Sequence, residues 1–138
     1  MTSEARIINL PCFSDCRGSL SVVGEHKDVP FSIKRAFWIF KVAKGAHRAM
    51  HAHRSQSQLL VAVNGSFSVM ADNGTRSSEF RLDSPVAGLL IPMGMWIDIH
   101  DFSDDAVCLV LASGDYDPDE YIRDYRDFFD FVNNSDRD

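Results

Sequence analysis

The chain lacks the marks of a nucleic-acid binder, a membrane protein or a secreted scaffold. Lysine and arginine number 14 against 20 aspartate and glutamate, giving a formal net charge of −6. The basic face that general nucleic-acid binding needs is therefore missing, although a few arginines converging in one pocket can still hold a small anion. Cysteine is scarce: Cys12, Cys16 and Cys108 are odd in number and follow no framework spacing. That pattern fits reduced thiols and a cytoplasmic protein. No basic-then-apolar leader opens the chain and no apolar run approaches bilayer length, so no membrane association is expected. Linkers, repeats and low-complexity blocks are absent too. What remains is 138 residues at 45% hydrophobic content, enough for a core, and the expectation is one domain spanning residues 1–138.

What is present centres on Gly45–Gly65, GAHRAMHAHRSQSQLLVAVNG. His51 and His53 stand two apart at the start of a run that becomes apolar and strand-like. Residues two apart in a strand share a face, so both imidazoles project to one side, with Ala52 and Arg54 on the other. Imidazole titrates near neutrality and can take or give a proton, which makes the pair a candidate acid–base site. A structural or simply exposed histidine pair is the plain alternative. Gln58 and Leu59–Val63 follow, then Asn64-Gly65. Asn-Gly between strand-like runs is a strong hairpin signal, because both central turn positions need positive φ. The expectation is a hairpin into Ser66–Met70.

The rest of the chain alternates short strands with turns. Strand candidates are Arg6–Leu10, Ser19–Val23, Ile33–Val42, Glu79–Leu82, Gly88–Ile91, Trp96–Ile99 and Ala106–Ala112. Turn signals lie at Asp15-Cys16-Arg17-Gly18, Val29-Pro30-Phe31, Asp72-Asn73-Gly74 and Asp83-Ser84-Pro85. Such spacing means an antiparallel sandwich or barrel. The N-terminal strand sits at a sheet edge or crosses to a partner subunit. Alternation in Ile33–Val42 puts Arg35, Phe37 and Ile39 on one face and Lys34, Ala36, Trp38 and Phe40 on the other. Apolar residues on both faces imply a packed second side. Arg35 is there either a snorkelling edge residue or an anion binder. In Trp96–His100, Ile97 and Ile99 face one way, and Trp96, Asp98 and His100 the other. Asp117, Pro118 and Glu120 read as N-cap, first helical residue and capping box. Ile122, Tyr125, Phe129 and Val132, widened by Tyr121 and Phe128, form a helical stripe that packs outside the barrel. The polar tail Asn133–Asp138 is expected to fray.

Gly45, His51, His53, Gln58 and Gly65 resemble the first signature of the cupin β-barrels, with Gln58 where that signature has glutamate. In the second, Pro92-Met93-Gly94-Met95-Trp96-Ile97, Ile97 takes the place of a third histidine. Metal-binding cupins use all four ligands; two imidazoles and an amide make a poor divalent-metal site. The expected fold is thus all-β, a cupin-type antiparallel β-barrel or jelly roll with a C-terminal α-helix. The histidines are expected to work without metal or other cofactor.

From about residue 6 to 130 the chain is similar to a narrower family, the dTDP-4-keto-6-deoxyhexose 3,4-ketoisomerases often grouped as WxcM-like. The matching segments are Asp15-Cys16-Arg17-Gly18-Ser19-Leu20, Pro30-Phe31-Ser32-Ile33-Lys34-Arg35, His51-Ala52-His53, Asn64-Gly65-Ser66, Asp83-Ser84-Pro85, Asp101-Phe102-Ser103, Leu109-Val110-Leu111-Ala112-Ser113 and Tyr121-Ile122-Arg123-Asp124-Tyr125. The resemblance implies a homodimer, often with exchanged N-terminal strands. It implies conversion of dTDP-4-keto-6-deoxyglucose to a 3-keto isomer that feeds amino-sugar synthesis for surface polysaccharides or glycosylated natural products. The family's catalytic histidines carry over to His51 and His53.

The chemistry suits these residues. Moving a carbonyl from C4 to C3 removes the C3 proton, passes through an enediol and reprotonates C4, which is imidazole work. The enediolate needs fixed donors, for which Arg48, Gln58 or a protonated histidine are candidates. The diphosphate needs forked cations, and Arg17, Arg35 and Arg48 are the candidates. This chain departs from the family at Phe37-Trp38, where a tyrosine is usual, at Ile97, where histidine or arginine is common, and at Ala49, usually glycine. Product configuration at C4 and the nucleotide base stay open. Rival readings are a dTDP-4-keto-sugar 3,5-epimerase, a non-catalytic sugar-nucleotide-binding cupin and, disfavoured by Gln58 and Ile97, a metal-dependent oxygenase.

Overall fold

The computed structural model describes residues 4–135. Their strands, numbered in chain order, build two five-stranded sheets and one separate hairpin. The first sheet holds β1 (Arg6–Asn9), β9 (Ala87–Ile91), β6 (Gln58–Asn64), β11 (Val107–Ala112) and β4 (Arg35–Phe40), in that spatial order. The second holds β12 (Tyr121–Ile122), β5 (Arg48–His53), β10 (Trp96–His100), β7 (Phe67–Asp72) and β8 (Ser77–Leu82). All pairings within these sheets are antiparallel. The remaining strands, β2 (Cys12–Asp15) and β3 (Gly18–Ser21), pair only with each other.

Strand alternation sorts the core into three layers. Leu60, Phe67, Val69, Leu89, Ile97, Ile99 and Val110 fill the space between the sheets. Their sequence neighbours Leu59, Val61, Leu90 and Leu111 face outward from the first sheet and are covered by Val29 and Phe31. On the outer face of the second sheet, Ala52, Trp96 and Ile122 pack against Phe128 and Val132 of α1 (Tyr125–Ser135). This is the two-layer barrel, with its helix outside, that the strand spacing predicts. Ile97 and Ile99 point inward, and His100 points away, its Nε2 lying 2.8 Å from Glu79 Oε1.

Three expectations are corrected. Asn64-Gly65 turns the chain but makes no hairpin: β6 pairs with β9 and β11, whereas β7 pairs with β8 and β10 in the other sheet. The turn is a corner between sheets. Gly65 has φ +63°, and a Cβ there would collide with Ser103 Oγ and meet Ala106 Cα at 2.8 Å, so glycine is needed on both counts. The helix also begins later than its capping signature suggests. Asp117 caps only a 3-10 turn, Pro118–Glu120, after which the chain runs extended through β12. Glu120 closes no capping box; its carboxylate accepts from the Ser55 and Gln56 amides and the Ser55 hydroxyl. Asp124 caps α1 instead, accepting from the Arg126 and Asp127 amides. Asn133 to Ser135 belong to the helix, and the rest of the predicted frayed tail lies outside the described residues.

Candidate active site

A cleft of about 420 Å³ opens between β4, at one sheet's edge, and β5 and β12, at the edge of the other. Its floor is Ile97, Ile99 and Val110; Phe37 and Ile39 form one wall; Arg48, His51, Tyr121 and Arg123 form the other. A β-bulge sets that second wall. His51 pairs with Ile97, but Ala49 pairs with Asp98 and Arg48 with Ile99, so Met50 is the extra residue. Three positions apart on a regular strand, Arg48 and His51 would face opposite ways; the inserted residue restores their common face. The backbone bears the cost, with Ala49 at φ +69° and Met50 at φ +56°.

The two histidines meet edge to face with ring centroids 5.0 Å apart, and the Tyr121 ring closes the group at 4.8 Å from His51 and 4.6 Å from His53. Tyr121 reaches them because it lies directly opposite His53 in the β12–β5 ladder, while Ile122, one residue on, faces the helix. The Tyr121 oxygen accepts from Arg35 Nη1 at 3.3 Å, and Arg35 Nη2 donates to Gln56 Oε1 at 3.2 Å. Arg123 lies over the Tyr121 ring, 4.6 Å from its centre. His53 is buried behind His51, and Gln58 Nε2 stands 3.0 Å from its Nε2. With the amide donating, His53 is neutral and carries its proton on Nδ1. That Nδ1, like Arg35 Nε, is buried without a hydrogen-bond partner among the described residues.

Burial and neighbouring cations hold both rings neutral. Burial foremost, then Arg123, brings His51 down to about 4; the Ala49 backbone pulls the other way and Arg35 adds to the fall. His53 falls to about 3 through burial, then through His51, Arg35 and Arg123. Desolvation disfavours the charged imidazolium, and like charges nearby disfavour it further. At neutral pH both imidazoles are therefore uncharged.

Of the residues singled out from sequence, His51, His53, Arg35, Arg48 and Gln58 come together at this cleft. Arg17 does not. It sits at the tip of the β2–β3 hairpin with its side chain 86% exposed, paired to Asp15 at 2.7 Å. Sequence reasoning missed Tyr116, Tyr121 and Arg123 as cleft residues. Tyr121 and Arg123 flank Ile122 at a period of two, a strand signal, but a two-residue strand is too short for periodicity to stand out beside a helical stripe. Gln58 occupies the place of a metal-binding glutamate and is engaged with His53. Among the described residues no group of three or more histidine, cysteine, aspartate or glutamate side chains is placed to hold a metal ion.

Fold and site together define a cupin-type barrel with a cleft lined by imidazole, phenol and guanidinium groups. The chain belongs to the FdtA family, described as WxcM-like, C-terminal, whose model matches residues 3–133. It is 43% identical over 129 residues to a TDP-4-oxo-6-deoxy-alpha-D-glucose-3,4-oxoisomerase of Aneurinibacillus thermoaerophilus, covering 94% of this chain and 93% of the relative. Among solved structures, a 3,4-ketoisomerase from Helicobacter canadensis superposes with a TM-score of 0.92 at 36% identity, covering 96% of this chain and 99% of that one. QdtA, a sugar 3,4-ketoisomerase from Thermoanaerobacterium thermosaccharolyticum solved in complex with TDP, does so with a TM-score of 0.92 at 32% identity, covering 98% of each. The family resemblance read from the ordered motifs is thereby established.

Proposed function

We propose that this chain, acting as a single cupin domain, isomerises a dTDP-linked 4-keto-6-deoxyhexose to its 3-keto isomer through an enediol. The observation that carries the reading is the convergence of neutral His51 and the Tyr121 hydroxyl on one wall of a cleft that arginines surround. His51, on the cleft wall, takes the C3 proton and returns it to C4; His53, behind it, holds and tunes the ring through Gln58 and Tyr121. The reaction is redox-neutral within the sugar, so proton transfers alone balance it and no cofactor is called for. Arg48 and Arg123 line the cleft and supply charge for the diphosphate. Burial is the main cause of His51's low pKa, but an anionic ligand on Arg123 offsets the second cause, that guanidinium's charge, and so raises the base's pKa when substrate arrives.

The working unit in this reading is a cytoplasmic homodimer. No helix among the described residues is long and apolar enough to cross a membrane. Among the described residues the β2–β3 hairpin joins neither five-stranded sheet, and it exposes Phe13 by 63% and Leu20 by 60%. On the outer face of β4, Trp38 and Phe40 stand 59% and 53% exposed, although alternation marks that side for packing. A second copy covers both surfaces, and the exchanged N-terminal hairpin carries Arg17 to the neighbouring cleft.

The test is proton NMR of the purified protein with dTDP-4-keto-6-deoxyglucose in heavy water, beside His51→Asn. New 3-keto resonances with wild type, absent with the variant and without deuterium at C5, are expected. Deuterium at C3 and C5 with no carbonyl movement replaces the reading with 3,5-epimerisation. Ligand binding with an unchanged spectrum replaces it with a binding protein.

A further inference from the structure

The isomerisation moves two protons, one between carbons and one between oxygens, and the histidines account for the first. Among the groups lining the cleft, arginine does not give up a proton at working pH, and Gln58 is engaged with His53. Two phenols remain. Tyr116 is a largely exposed residue at the rim, whereas Tyr121 touches both histidine rings. The Tyr121 oxygen already accepts from Arg35, so its own proton is left to donate into the cleft beside His51.

Resting on the isomerase reading, we propose that the Tyr121 hydroxyl is the acid–base catalyst for the sugar oxygens, carrying a proton from O3 to O4. As His51 takes hydrogen from C3, that bond's electron pair forms C3=C4. The C4=O π pair moves onto O4, which takes the Tyr121 proton. The phenolate, beside the Arg35 and Arg123 guanidiniums, then removes the O3 proton. The O3–H pair becomes the C3=O π bond, and the C3=C4 pair takes the proton from His51 at C4. One hydrogen has moved from C3 to C4, another from O3 to O4, and both side chains return to their starting state. Nothing is oxidised or reduced overall.

Tyr121→Phe keeps the ring against His51, His53 and Arg123 and removes only the oxygen. The expected result is a fall in kcat of about 100-fold or more, the usual worth of a positioned acid–base group. Kd for dTDP, measured by titration calorimetry, stays within about threefold, and the melting temperature is unmoved. Turnover by the variant within about threefold of an active wild type overturns the tyrosine assignment and leaves the isomerase reading standing. A loss of turnover that comes with lost dTDP binding and a lowered melting temperature also overturns it, since the residue would then be structural. A wild type that binds the sugar nucleotide but never moves its carbonyl overturns the isomerase reading and the tyrosine assignment together.

Discussion

His51 and His53 tie the site to the stability of the fold. In the unfolded chain each takes up a proton near the ordinary value of 6.5, while in the fold His51 holds off until about 4 and His53 until about 3. Between those values the unfolded state binds more protons, so the free energy of unfolding rises with pH and falls as acid is added. From about pH 6.5 to about pH 5 each ring can remove up to about 2 kcal/mol, in a range where ordinary carboxylates are still ionised. Denaturant midpoints across that range are expected to drop for wild type, and His51→Asn is expected to show a clearly shallower slope. Equal slopes would mean that His51 is not held neutral. The same desolvation that weakens the fold in acid keeps His51 free to act as a base at neutral pH. Identity and pairing of these two residues were legible from their spacing alone, because a period of two in a strand leaves no choice of face. Their pKa depression was not, because it comes first from burial in the folded barrel and then from Arg123 and Arg35, which only the fold brings near.

At the scale of the element, local chemistry was read more reliably than partnership. The alternation of Arg35, Phe37 and Ile39 against Ala36, Trp38 and Phe40 is the alternation observed in β4. Asn64-Gly65 is a turn, as its residues demand, but a turn signal does not say which sheet the next strand joins. That choice is made by β9, β10 and β11 far along the chain. Likewise, Asp117 and Pro118 start a helical turn, but pairing with β5 draws the next residues into β12 and puts Tyr121 on the histidines. The β5 bulge was invisible because Ala49 and Met50 are not residues that advertise positive φ. Non-glycine residues in that region cost on the order of 1 kcal/mol each. Ala49→Gly is therefore expected to raise stability by about 1 kcal/mol, about 3 °C in Tm for a chain of this size. Thermal denaturation checks it: an unchanged or lower Tm would show that the bulge is unstrained at this position.

For the whole molecule, the unsettled partner is Arg17. Among the described residues its hairpin pairs with neither five-stranded sheet, and no residue of the hairpin lines the chain's own cleft. Either Arg17 has no part in the reaction, or it serves the cleft of a second copy across a two-fold interface. Mixed dimers separate these cases. Arg17→Ala alone is expected to weaken sugar-nucleotide binding, and His51→Asn alone to abolish turnover. When the two chains are co-expressed, a heterodimer has one cleft with intact His51 that receives intact Arg17 from its partner. The other cleft lacks both. Random pairing makes half the dimers mixed, each with one good cleft of two, so about one quarter of wild-type activity returns at low substrate concentration. If Arg17 served its own cleft, no cleft in the mixture would hold both residues, and recovery would not exceed the Arg17→Ala background. Dilution adds an independent check. If Arg17 serves the cleft of a second copy, separating the copies costs activity in step with loss of a dimer by light scattering, because a lone chain retains His51 and Tyr121 but lacks that cation for the diphosphate.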